Sequence, residues 1–167
     1  LIRNQPRSLL DNSPLDDLLR RNLDFNGIQR SINKGALHAI SITASGYESG
    51  ESISFFEAHP SAHPWRRVQR LGIRSKLGVE HLLASSAIPF VFPPTRIHRE
   101  FFGDGSMRQL APISPAIHLG AEQVMIVGAS RKNEHLDRQR VESHPSLAQI
   151  AGHALSSIFL DSLEVDI

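Results

Sequence analysis

The chain has no cysteine, so disulfides, thiolate nucleophiles and thiolate metal sites are all excluded, as suits a reducing compartment. Its longest apolar runs, Ile88-Pro89-Phe90-Val91-Phe92 and Val124-Met125-Ile126-Val127, are far shorter than the ~20 residues of a spanning helix. No transmembrane helix is expected. An excess of one charge is lacking too: Lys+Arg 18 against Asp+Glu 17 leaves a formal net charge of +1, so no overall field recruits nucleic acid. Charge-based recognition must be local. Neither a P-loop nor a Rossmann glycine pattern occurs, which argues against a phosphate-binding α/β domain of those types. No signal peptide is read at Leu1, and the chain closes inside a helical pattern at Leu163-Glu164-Val165-Asp166-Ile167, so both ends read as cut from a longer chain.

What is present is a globular composition, 40% hydrophobic and 21% charged over 167 residues, enough for one core. Ser13-Pro14 followed by Leu15, Leu18, Leu19 and Leu23 predicts a helix with Ser13 as its cap, and Asp16 and Asp17 favour that end through the helix dipole. Residues 36–44 predict a strand buried on both faces, with an antiparallel return over residues 52–56 after a turn at Tyr47-Glu48-Ser49-Gly50. Residues 59–76 read as a loop. Val79, Leu82, Leu83 and Ser86 have helical spacing, ended at Ile88-Pro89. Residues 95–102 predict a tight β ribbon that delivers Asp104. Ser114-Pro115 opens a short helix closed by Gly120, residues 123–128 predict a buried parallel strand, and residues 145–163 predict the longest helix. Strands alternating with helices indicate an α/β layered fold.

Phe101-Phe102-Gly103-Asp104-Gly105-Ser106 isolates one carboxylate between two glycines. Asp-Gly is a common turn, in which the aspartate bonds its own backbone and the glycine takes a positive φ. Alternatively, the flanking glycines let another segment or a substrate approach the carboxylate closely, which suits a general base.

The order of motifs resembles the second half of a patatin-like phospholipase domain. Ala84-Ser85-Ser86-Ala87-Ile88-Pro89-Phe90-Val91-Phe92-Pro93 comes first, then Gly103-Asp104-Gly105-Ser106, then Pro112 and Ala116-Ile117-His118-Leu119-Gly120-Ala121. The resemblance implies a three-layer α/β/α patatin-like fold, of which residues 1–167 form a C-terminal portion of one domain. It implies a serine–aspartate dyad acyl-ester hydrolase acting in lipid catabolism, a carboxylic ester hydrolase of phospholipase or esterase type. Asp104 matches the dyad's base. Ser106 stands where the family usually has glycine or alanine, and Leu110-Ala111 stand before Pro112 where many members carry asparagine, which suggests a bacterial-type subgroup. The alternative function is a catalytically inactive lipid-binding or scaffolding module of the same fold.

No serine in the chain fits the family's Gly-x-Ser-x-Gly elbow, so the nucleophile is expected outside it and the chain alone is expected to be inactive. Gly50-Glu51-Ser52-Ile53-Ser54 lacks the last glycine and sits in a strand pattern rather than a strand–turn–helix context. Ser85 and Ser86 read as helix-packing residues. His59 and His63 are four apart, but Pro60 and Pro64 oppose the helix that would aim both at one metal, so neither a metal nor a cofactor is expected. Residues 59–76 hold Arg66, Arg67, Arg70, Arg74 and Lys76 without an acid. With Trp65, the arginines Arg66, Arg67 and Arg70 could meet a lipid surface; the other reading, and the commoner case, is a solvated loop pairing with nearby acids. The expected location is cytoplasmic, peripheral to a membrane.

Overall fold

The computed structural model describes residues 8–108, 113–127 and 152. In order these form α1 (Ser13–Asn22), α2 (Asn26–Asn33), β1 (Ala39–Gly46), β2 (Ser52–Ala58), β3 (Trp65–Arg67), β4 (Arg70–Arg74), α3 (Val79–Ser85), β5 (Thr95–Ile97), β6 (Glu100–Asp104), a 3-10 turn (Gly105–Arg108) and α4 (Ser114–His118). The six strands make one sheet in the order β3-β4-β2-β1-β6-β5. It is mixed: β2 and β4 run parallel and every other neighbouring pair is antiparallel.

Side-chain alternation along the central strands sorts the core onto two faces. Ala44, Ile53, Phe55 and Phe102 join Leu77 and Ala84, with Phe25 and Ile28 of the α2 region packed against them. The opposite face carries Phe56, Ala58 and Ala62 against Leu119, the residue that follows α4. Helices therefore cover the sheet on both sides, which gives the α/β architecture its three layers.

The predicted β1–β2 hairpin, the β5–β6 ribbon and the helices at α1, α3 and α4 all form, with Gly120 in the left-handed region (φ 93) after α4. Ser13 is not the cap. Asn12 holds that position, and Asp11 accepts from the Ser13 amide at 3.1 Å. Residues 59–76 are not a loop throughout but contain the β3–β4 hairpin. Its centre is Gly72, opposite Trp65, where an added Cβ would collide with the indole ring. The indole fills what the missing side chain leaves bare, stacking on Phe56 at 5.3 Å and on His118 at 4.9 Å. Arg74, one of the five basic residues of this stretch, is structural: it donates to the carbonyls of Ala58 (2.7 Å), His59 (3.1 Å) and Ala62 (2.6 Å).

Residues 122–127 form no strand, and Met125 and Val127 are almost fully exposed. An apolar run becomes a strand only beside a partner, and among the described residues none lies there. The remainder of that predicted strand, Gly128, and the predicted helix at 145–163, Gly152 excepted, lie outside the described residues. No helix among those described is long and apolar enough to cross a membrane.

Candidate active site

Asp104 is the last residue of β6, placed opposite Ala44 of β1. Its amide donates to the Ala87 carbonyl at 3.0 Å, which ties the strand end to the segment leaving α3. The carboxylate is half-buried. Its Oδ1 accepts from the Ser106 amide at 2.8 Å and from the Ser106 hydroxyl at 2.6 Å, while Oδ2 has no protein partner among the described residues.

The two glycines around it serve close approach. A Cβ on Gly105 would collide with the Thr43 carbonyl oxygen, so only glycine lets the 3-10 turn fold back onto β1, and its φ is not positive. A Cβ on Gly103 would meet the Tyr47 hydroxyl at 2.5 Å. Asp104 therefore caps a tight turn with one oxygen and leaves the other without a partner among the described residues.

Beside it lies a cavity of about 800 Å³, lined by Asp104, Gly105, Ser106, residues 41–43, Leu82, Ser85, Ala116 and Leu119 among others. The wall runs from α3 on one face of the sheet to α4 on the other, around the edge of β1. The reason is a shortfall in pairing. β2 pairs with β1 over residues 39–45, but β6 pairs with it only from Ala44 to Gly46. The Gly46 amide donates to Glu51 and the His38 carbonyl accepts from His59, so even-numbered residues of β1 direct their backbone toward β2. The amides and carbonyls of Ala39 and Ser41 then face the cavity, without backbone partners among the described residues, while the Thr43 carbonyl meets Gly105 where the β6 pairing ends.

Of the serines weighed from the sequence, the structure brings Ser85 to this cavity and leaves the others aside. Ser52 is buried in β2, in register with Ser45 and Arg70, far from any elbow geometry. Ser86 returns its hydroxyl to the Leu82 carbonyl at 2.9 Å, a bond internal to its helix. Among the described residues no group of three His, Asp or Glu side chains is arranged to hold a metal.

Two neighbours had no signal in the sequence. Tyr47 sits in the β1–β2 turn, and burial first and the Asp104 charge second push its phenol up from the ordinary value, so it stays a neutral donor. His81 in α3 is buried, accepts the Gly78 amide on Nδ1 at 3.0 Å and packs edge-on to Phe55 at 4.8 Å. Its Nε2 has no hydrogen-bond partner among the described residues. Burial pulls its pKa down, against a weaker upward pull from Glu80, so it is a neutral core residue. Only a cross-strand register reveals the first, and only packing the second.

A mixed sheet with helices on both faces, ending one strand in a lone carboxylate at an open cavity, defines an α/β protein whose candidate site lies where its strand pairing stops. The family model for patatin-like phospholipases matches residues 1–117, and the chain belongs to that family. Membership places it among lipid acyl hydrolases acting on lipid substrates. No curated protein and no solved structure matches the chain.

Proposed function

We propose that Asp104 is the general base of a serine–aspartate dyad that hydrolyses acyl esters of lipids, the serine being carried by a segment seated along residues 39–43 of β1. The observation that carries this is the coincidence, at one point, of an oxygen without a partner and an unfilled strand edge. Oδ1 is fixed by Ser106, which orients the carboxylate, and Oδ2 is left to accept the serine proton as the hydroxyl attacks the acyl carbonyl. The proton passes to the departing alkoxide as the ester C–O bond breaks. Water then repeats the sequence on the acyl-serine and releases the carboxylic acid. Ile42, Leu82, Ala116 and Leu119 give the cavity apolar walls, which exclude water and strengthen every electrostatic contact inside.

The same reading includes work at a lipid surface, with Arg66, Arg67 and Arg70 in contact with it. Trp65 is engaged in its stack on Phe56 and His118 and takes no part.

Turnover of a p-nitrophenyl ester by the 167-residue chain alone tests where the nucleophile lies. No turnover is expected. Turnover that disappears in Ser41→Ala, Ser85→Ala or Ser106→Ala would place the nucleophile within this chain and remove the seated segment from the account.

A further inference from the structure

Strand directions place three turns at one end of the sheet. β1 enters the turn at residues 47–50, and β4 begins beside Ser52, the residue that opens β2, so the β3–β4 turn at residues 68–69 lies next to it. Glu100 opens β6, which descends along β1 from Phe102 opposite Gly46 to Asp104 opposite Ala44, so the β5–β6 turn at residues 98–99 shares that end.

The β3–β4 turn breaks the local rule for its kind. Two-residue hairpin turns favour asparagine, aspartate and glycine, yet here Val68 and Gln69 make the turn, Gln69 in the left-handed region (φ 56). Val68 is 88% exposed at the apex. Arg67 and Arg70 are cross-strand partners, a like-charge pair that costs stability on its own. Arginines on an edge strand discourage edge-to-edge association, but that purpose needs no bare valine between them. The carboxylates nearby are engaged. Glu48 accepts from Phe101, Glu100 accepts from Ser49, and Glu51 lies 3.5 Å from Arg66, whereas Arg67, Arg70 and Arg99 have no acidic partner among the described residues. Tyr47 and Phe101 are partly exposed at the same end.

We propose that this end of the sheet docks on an anionic lipid surface, with Val68 entering the interface and Arg66, Arg67 and Arg70 on the headgroups around it. The proposal rests on the reading of the chain as a lipid hydrolase, and the geometry agrees with it. Asp104 lies opposite Ala44, two residues or about 7 Å along β1 from its end at Gly46.

The test is sedimentation of the full chain with vesicles of phosphatidylcholine alone or mixed with phosphatidylglycerol. Binding to the mixed vesicles is expected to exceed binding to the neutral ones and to fall as salt is raised. Arg66→Gln/Arg67→Gln/Arg70→Gln should lower the partition coefficient on the order of 10²-fold, and Val68→Ser roughly 10-fold. Arg66→Gln/Arg67→Gln, confined to exposed side chains, should show about two-thirds of that effect on the logarithmic scale. A control with Arg20, Arg21 and Arg30 changed to Gln should bind as the native chain does. Equal binding by the native and triple-Gln chains overturns the proposal. So does heparin binding as tight as vesicle binding with Val68→Ser weakening neither, since the surface then reads a soluble polyanion. Asp104→Asn should bind vesicles unchanged. Docking and catalysis can therefore fail separately, because Asp104 acts on a soluble ester whether or not the tip meets lipid.

Discussion

Strand β1 changes character along its length. From Ala44 to Gly46 it is paired on both sides and buried; over residues 39–43 it is half-buried and paired with β2 alone. The closed half belongs to the core with Ile53, Phe55 and Phe102, and it holds the sheet together. The open half lines the cavity, with Ile40 and Ile42 packed against the core and Ala39 against the smaller cluster on the other face. Asp104 stands at the boundary, on the last residue that β6 pairs with β1. The proposed chemistry sits where the hydrogen-bond ladder is left incomplete, because a filled ladder has no backbone or space to offer a second segment.

The largest expected effect breaks the closed half. Ile53, opposite Ala44, is 5% exposed, and Ile53→Ala should cost about 2–5 kcal/mol by removing core contacts and leaving a cavity. Ser41→Ala, on the open half, should stay within about 0.5 kcal/mol. Urea unfolding of the two variants decides the comparison, and equal losses would mean that the halves do not differ as described.

Next in size is Gly105→Ala. Its Cβ meets the backbone of Thr43, which cannot yield as a side chain would, so a loss of about 1–3 kcal/mol is expected. A melting temperature equal to that of the native chain would show that the turn does not press on β1.

The smallest effect is a pH dependence. His81 is held neutral by burial, so its folded pKa lies below the unfolded value of ~6.5. The unfolded chain binds more protons below that value, so stability is fully present above it and is lost as pH falls toward and through the depressed folded value. Thermal melts from about pH 7 to about pH 5 should show a downward slope that is shallower in His81→Leu. An identical slope in both proteins would assign the acid sensitivity to other groups.

The sequence made much of the closed half legible. Alternating and helical periodicities marked the β1–β2 hairpin, α3 and α4, and Phe101-Phe102-Gly103-Asp104 announced the ribbon that carries the carboxylate. The motif order pointed to the family before the fold was seen. The β3–β4 hairpin escaped because arginines and a central glycine hide its alternation; its strand pairing depends on the Trp65 indole covering Gly72, a contact between residues seven apart. The strand expected at residues 123–128 does not form over 123–127 for the converse reason, since its apolar pattern is present and no neighbour lies beside it among the described residues. The open edge itself had no signature, because pairing that stops midway along a strand is a property of two segments and not of either one.

The central claim is that Asp104 is a base and not only the cap of a turn. It is tested by kcat/KM on a short-chain ester in the chain together with the segment proposed to carry the serine. Asp104→Asn keeps the shape and the bonds from Ser106, so circular dichroism should be unchanged while kcat/KM falls by about 10² or more, and Asp104→Glu, displaced by about 1 Å, should fail on a similar scale. A folded Asp104→Asn protein with native turnover would contradict the account and leave Asp104 as the cap of its 3-10 turn.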